Sequence, residues 1–413
     1  MNDGNYEALP DHGKEEITGM LSYNLKRVCV KKLLKKENPA VPFGGKYRFS
    51  PYMACGHRCT YCDGRYEKYH VEGDFDHDIT VRENAPELLE KELQKLREPG
   101  PVCMSSGISD PYQPVEEQLQ ITRQCAEILS RFDHPVIIHT KSSTVLRDID
   151  CWEEVHRKSA FTLMISLTMA DDSIRSRLEP GASSVEERLN TLKEFRKRGM
   201  NAGVLAMPFV PFLTDSREQM GEFLTVLKSA GVQFAMPGLL TLKQGRQKEF
   251  FLNTFKKQYP DIYGKIVELY SNRNFYGNPA SGYTKSFYSR IDTIWTEHVM
   301  DDLIPHSLFR GQFSLCDEIS ILLGDMIKLY RRGGINVTRL KTASRKFSRW
   351  LEPRRTYYAR RRNLKYLALD EELKAIAEAN ELEELLGNKK LAVFIQRVIR
   401  GSVFNYQTLE LSP

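Results

Sequence analysis

Phe161-Thr-Leu-Met-Ile-Ser-Leu167, a helical stripe at Val185, Leu189, Leu192 and Phe195, and then Ala202-Gly-Val-Leu-Ala-Met207 decide the fold. Two apolar runs of strand length flank a segment whose apolar residues recur at spacings of three and four, which predicts strand, helix, strand. Strands that alternate with helices imply a parallel sheet, because parallel neighbours need a crossover connection. Working outward, Val102–Ser105 and Val136–Thr140 repeat the strand pattern upstream and Phe234–Leu242 repeats it downstream. Helix-like segments lie between them, such as Leu88, Leu89, Leu93 and Leu96, with Asn84 as its cap and Pro86 in its first turn, and Phe223, Leu224 and Leu227. With Tyr47–Phe49 as the first strand, about six such units fit between residues 45 and 244, short of the eight of a closed barrel. The expected class is therefore α/β, a partial (β/α)6 TIM-like barrel. Pro208, Pro211 and Pro237 fall at strand ends or in the loops after them, where a missing N–H costs least.

The flanks read differently. Residues 1–44 form a basic leader whose segment Asn24–Lys36 predicts a helix ended by Pro39. Residues 245–413 are mainly helical in pattern, for example Phe313–Tyr330 and Leu369–Ile399, and include a strongly basic stretch. The 413 residues are 41% hydrophobic and 28% charged, the composition of a soluble globular protein. There is no apolar run of membrane-spanning length, and Met1–Lys14 is polar and acid-bearing, without the apolar core of a secretory signal. These features lead us to expect a cytoplasmic protein with no membrane partner, in which the eight cysteines stay reduced.

Three of those cysteines are packed into Ser50-Pro-Tyr-Met-Ala-Cys55-Gly-His-Arg-Cys59-Thr-Tyr-Cys62-Asp63. Thiolates so close can wrap one inorganic core from a single loop. Iron–sulfur cubanes usually take four cysteines, so three local ones leave either a distant fourth ligand or an open iron. The spacing alone also admits zinc, with His57 or His70 as fourth ligand, or cysteines that are simply core residues. The loop follows the first strand and so lies at the C-terminal end of the barrel, where barrel enzymes keep their chemistry.

At these residues the chain resembles the radical S-adenosylmethionine (SAM) superfamily, whose signature is this C-x3-C-x2-C spacing. The resemblance implies a [4Fe–4S] cluster on Cys55, Cys59 and Cys62, with S-adenosylmethionine on the fourth iron and cleaved to a 5′-deoxyadenosyl radical. Ser109-Asp110-Pro-Tyr-Gln-Pro114, His139-Thr-Lys141-Ser142, Ile165-Ser166 and Leu178-Glu-Pro-Gly181-Ala-Ser-Ser184 are similar, in order, to its spore-photoproduct-lyase-like branch. So is Val81–Leu89. By this resemblance Ser109, Lys141 and Ser166 contact the cofactor, and Tyr61 keeps the family's aromatic between the second and third cysteines. Asp110 is read as bonding within its own turn, and Glu179-Pro180-Gly181 as shaping a loop. Two positions depart from the lyase: Gly107 stands where it has a cysteine hydrogen donor, and Asp63 where it has a tyrosine. Cys103 is read as a core cysteine.

From Lys328 to Lys365 there are fourteen Lys or Arg against one acid, Glu352, interleaved with Tyr330, Phe347, Trp350, Tyr357 and Tyr358. Cations release counterions from phosphates and aromatic faces stack bases, so DNA or RNA is the expected partner of this stretch. A solvated helix face or an acidic protein partner fits the same pattern. The expected function is a radical enzyme acting on a nucleic acid or a nucleotide-like substrate, served by an external electron donor. The alternatives are a nucleic-acid-binding protein with a structural zinc or iron–sulfur site, and a radical enzyme that modifies a protein or small molecule. Gly333-Gly334 lacks the rest of a phosphate loop, and Cys29, Cys125, Cys151 and Cys316 are too scattered for a second cluster.

Overall fold

The computed structural model describes residues 6–8, 15–17, 22–38, 43–272, 274–361 and 367–413. Six strands form the wall of an incomplete barrel: β1 (Tyr47–Phe49), β2 (Val102–Met104), β3 (Val136–Thr140), β4 (Phe161–Ser166), β5 (Asn201–Phe209) and β6 (Ala235–Leu239). They neighbour one another in chain order, with the two-residue strand Lys35–Lys36 outside β1. Such an order lacks the reversal of a doubly wound sheet and is what a barrel wall requires. β3 with β4, β4 with β5 and β5 with β6 are parallel. Between successive strands run helices α1 (Ala85–Leu93), α2 (Ile121–Leu129), α3 (Ile149–Lys158), α4 (Val185–Lys197) and α5 (Arg217–Ser229).

Local sequence explains the helices. Ser184 with Glu187 and Ser216 with Gln219 close capping boxes at the starts of α4 and α5, each satisfying two otherwise orphaned N–H groups. The helices bury their apolar stripes on the strands. Trp152 of α3 stacks on Phe161 of β4, which stacks on Phe195 of α4, with ring centroids 5.2 and 5.5 Å apart. Pro208 lies inside β5 at a register break between Ala206 and Phe209, and Pro237 sits in β6 at one end of the strand order. Both occupy places where a ladder tolerates a missing donor.

The helix expected over Asn24–Lys36 is instead a strand, Tyr23–Val30, in a five-stranded sheet. It pairs in parallel with Asp78–Arg82 and antiparallel with Tyr6–Ala8 and Glu15–Ile17. Its burial alternates in two halves, Tyr23 with Leu25 and then Val28 with Val30, the parity switching across Lys26 and Arg27, which reach Glu72 and Glu83. Partner strands supply the backbone bonds, and tertiary pairing overrides the helical spacing of the basic residues. Pro39, expected to end that helix, lies outside the described residues. Asn84 stands at the start of α1 with Pro86 in its first turn, but its amide bonds N and O of Val30, each at 2.9 Å, rather than capping the helix.

The chain divides into two compact units. The first comprises Met1–Lys35, Arg48–Gln94 and Cys103–Asp302, and the second Lys36–Tyr47, Lys95–Val102 and Leu303–Pro413. Helices beyond residue 244 are thus shared out: Arg246–Gln258, Pro260–Leu269 and Ser281–Glu297 belong to the first unit. In the second, Leu315–Arg332, Thr338–Arg360 and Lys389–Ile399 pack around Cys316, Leu322, Phe347, Leu369 and Ile395. Among the described residues no helix is long and apolar enough to cross a membrane.

Candidate active site

Cys55, Cys59 and Cys62 lie in the loop after the short strand Tyr52–Met53. Ala54 and Arg58 adopt left-handed φ values of 65° and 53°, turning the chain immediately before Cys55 and before Cys59. Such turns persist only where the surroundings over-determine them. Here Gln113 accepts the N–H of Gly56 at 2.8 Å and donates to the carbonyl of Ala54 at 3.2 Å. Thr60 N–H reaches Leu178 O at 2.8 Å, and Gly181 N–H reaches His57 O at 3.0 Å. Arg65 donates to Cys59 O at 3.3 Å, with its guanidinium 3.7 Å above the ring of Phe250. Gly181 approaches so closely that a Cβ there would meet Gly56 O at 2.4 Å.

Cys55 and Cys59 are buried and Cys62 half-buried. Burial pushes all three thiols above their ordinary range, so an electropositive core is what would make them thiolates. Among the described residues, no three His, Cys, Asp or Glu side chains are placed to hold a single metal ion. The loop's donor set is three soft thiols, which suits an iron–sulfur core. His57, a zinc-ligand candidate by sequence, is engaged elsewhere: Nδ1 is 2.9 Å from Gly181 O and Nε2 is 3.3 Å from Asp110 Oδ2. His70 is exposed.

Beside this loop stands a buried charged cluster. Lys141, just past the end of β3, donates to Ser166 Oγ of β4 at 2.6 Å and to Tyr61 Oη at 3.0 Å. Its ammonium also lies 3.1 Å from Glu179 Oε1, while Arg188 of α4 lies 2.5 Å from Glu179 Oε2. Tyr61 donates its hydroxyl to the same carboxylate. Burial by itself would raise the Glu179 pKa, but Arg188, Lys141 and the Tyr61 hydroxyl outweigh it and hold the group down to about 2. Burial, then the Glu179 charge, push the Tyr61 phenol well above 10, so it remains a donor. Asp110 takes the Tyr112 N–H of its own turn at 2.9 Å, and also Thr140 Oγ1 at 2.7 Å and Lys141 N at 2.8 Å. Burial opposes ionisation of Asp110, yet the His57 charge and hydrogen bonds from His57, Thr140 and Tyr112 hold it below its usual value.

The structure therefore brings Tyr61, Lys141 and Ser166 together, and joins Ser109 to the cysteine loop through Gln113, whose Nε2 lies 3.2 Å from Ser109 Oγ. Asp63 is paired with Lys243 at 2.6 Å and with the Tyr69 hydroxyl at 2.7 Å. Gly107 faces open space, whereas Cys103 is buried with Sγ 3.7 Å from His139 Nε2. Sequence reasoning missed three residues: Gln113, Arg188, and Glu179 as an anchor. Arg188 had a readable signal, because it falls on the buried stripe of Val185, Leu192 and Phe195. A cation on the buried face of a helix requires a buried partner.

In the second unit, part of the basic stretch is committed to acids. Arg355 pairs with Asp317, and Arg354 with Glu372 at 2.9 Å while stacking over Trp350 at 4.8 Å. Arg345, Lys346, Arg349 and Arg360 are exposed on the helix Thr338–Arg360, and Arg361 lies 4.2 Å from the centroid of the exposed Tyr357 ring. Arg362 and Lys365 lie outside the described residues.

A parallel, incomplete barrel with a three-cysteine loop and a charged cluster at the C-terminal mouth defines the class: a barrel enzyme with its chemistry at that mouth. Residues 49–224 match the model of the radical SAM superfamily. Those residues thus form a radical SAM domain, the mark of a radical SAM enzyme. An uncharacterised protein of Methanocaldococcus jannaschii is 29% identical over 245 residues, 59% of this chain and 86% of the relative. One of Mycobacterium tuberculosis is 26% identical over 248 residues, 59% of this chain and 72% of the relative. The fold is like that of spore photoproduct lyase complexed with dinucleoside spore photoproduct, with a TM-score of 0.50 at 14% identity over 66% of this chain and 79% of the other.

Proposed function

We propose that Cys55, Cys59 and Cys62 hold a [4Fe–4S] cluster with one open iron, and that the enzyme acts on a nucleic acid or a nucleotide-like substrate. The observation that carries the first half is the locking of a three-thiol loop against the Lys141, Ser166 and Glu179 cluster at the barrel mouth. Were the cluster and S-adenosylmethionine bound there, one electron from an external donor would cleave the sulfonium, supplying a 5′-deoxyadenosyl radical and releasing methionine. The chain's own groups do the rest. Lys141, a compact charge, meets the cofactor's carboxylate, and Ser109 and Ser166 offer hydroxyls to its polar groups. Glu179 holds Lys141 in place, and Tyr61 closes the site beside Cys59. Burial of the loop excludes water from the reacting region.

Support for the substrate class comes from the exposed cations of Thr338–Arg360 and the exposed Tyr357 ring, which suit phosphates and bases, although Phe347 and Tyr358, expected to offer stacking faces, are buried in the helical core. The test is an anaerobic reaction with cofactor, a strong reductant and either single-stranded DNA or RNA. We expect nucleic acid to raise 5′-deoxyadenosine formation and to yield a nucleoside of altered mass. Cofactor cleavage indifferent to nucleic acid, with salt-insensitive retention of the protein on it, would refute the substrate class.

A further inference from the structure

Phe212 combines three properties. Its backbone is left-handed, with φ 65°, a conformation that a bulky L-residue adopts at a cost. Its side chain is 42% exposed, so burial does not offset that cost. The turn that holds it is tightly bonded. Asp215 Oδ1 accepts the Phe212 N–H at 2.8 Å, Thr214 Oγ1 accepts the Val210 N–H at 2.8 Å, and Gln219 donates to Leu213 O at 2.8 Å. Asp215 is itself buried, gripped by the Tyr283 hydroxyl and by Arg290 at 2.9 Å. Strain that the surroundings work to maintain, at an exposed side chain, points to function.

Its place agrees. The turn follows β5 at the C-terminal end of the barrel, and Val210 and Leu213 pack in one apolar cluster with Cys59, Tyr61 and Cys62. The ring is edged by Tyr283 at 5.3 Å and 64°, and Lys265 Nζ lies 5.9 Å from its centroid. An exposed ring with a lysine ammonium over it matches a nucleobase and its neighbouring phosphate, because every base has a π-face. We propose that Phe212 stacks an unpaired base of the substrate while Lys265 meets the adjacent phosphate. This rests on the nucleic-acid reading above and names a residue that carries it.

The test measures fluorescence anisotropy of a short labelled single-stranded DNA with wild type, Phe212→Gly, Phe212→Leu and Phe212→Tyr. Raised salt weakens phosphate contacts and leaves stacking to dominate. Thermal denaturation of each variant is recorded beside it. Phe212→Gly should bind about tenfold more weakly, the scale of one base stack removed. Its Tm should be equal to or above that of wild type, since glycine takes this conformation without strain. Phe212→Leu should lose binding as well, and Phe212→Tyr should keep it. A wild type that binds no DNA would bring down the nucleic-acid reading and this proposal with it. A wild type that binds, alongside a glycine variant that binds equally well, would overturn the role of Phe212 alone.

Discussion

Glu179 Oε1 lies 3.1 Å from the ammonium of Lys141, a residue 38 positions earlier in the chain. The carboxylate's other oxygen faces Arg188 at 2.5 Å, so one fully buried anion organises two cations and the Tyr61 hydroxyl. Removing it leaves buried charge uncompensated. Glu179→Ala should cost about 3–5 kcal/mol in urea denaturation, the usual scale for breaking a buried pair. Glu179→Gln should cost less and still weaken cofactor binding.

The same carboxylate sets a pH dependence. Its pKa falls from 4.5 to about 2 on folding, so the unfolded chain binds the proton more tightly. The stability it contributes is present above pH 4.5 and is lost as the pH falls from there towards 2. Denaturation midpoints across that window should drop more steeply for wild type than for Glu179→Gln. Parallel curves would show that Glu179 is not the titrating group.

Gly181 is needed for the absence of its side chain. A Cβ would fall 2.4 Å from Gly56 O and 3.0 Å from the Cα of His57, both backbone atoms of the cysteine loop. Gly181→Ala should cost about 1–3 kcal/mol by overpacking and lower the iron retained after anaerobic reconstitution. Full iron content with unchanged stability would show that the two loops separate freely.

Lys141 and Ser166 should differ in degree. Replacing Lys141 by Met removes a charge that the cofactor's carboxylate would meet, and titration calorimetry should show affinity falling by tenfold or more. Ser166→Ala removes one hydroxyl, worth about 1 kcal/mol, or roughly fivefold. Equal affinities in both variants and wild type would place the cofactor elsewhere.

For the basic stretch, the readout is salt. Neutralising Arg345, Arg349 and Arg360 together should flatten the dependence of nucleic-acid affinity on salt concentration by about one slope unit for each phosphate that then goes unneutralised. Arg355, already paired with Asp317, should change stability more than the slope.

Much of this architecture was legible beforehand. The runs at Val136–Thr140 and Phe161–Leu167 are strands, the second ending one residue earlier at Ser166, because burial on both faces leaves a continuous apolar signal. The strand Tyr23–Val30 was hidden because its register depends on Asp78–Arg82, over 50 residues away, as the Asn24–Asp78 bond illustrates. In the site, Tyr61, Lys141 and Ser166 were nameable from motif positions. Glu179 reads in the sequence only as part of a loop, since nothing local shows that Arg188 and Lys141 converge on it. Long-range charge pairing is a property of the fold, and periodicity does not encode it. Phe212 was invisible for a related reason: its left-handed φ is imposed by Asp215 and becomes apparent only in three dimensions.

The most direct measurement of the central claim is 5′-deoxyadenosine formation by the anaerobically reconstituted protein, with S-adenosylmethionine and a strong reductant, for wild type and Cys55→Ala. The account predicts steady formation by wild type and none above background from the variant, with iron content reduced in parallel. Formation by Cys55→Ala at the wild-type rate would contradict it.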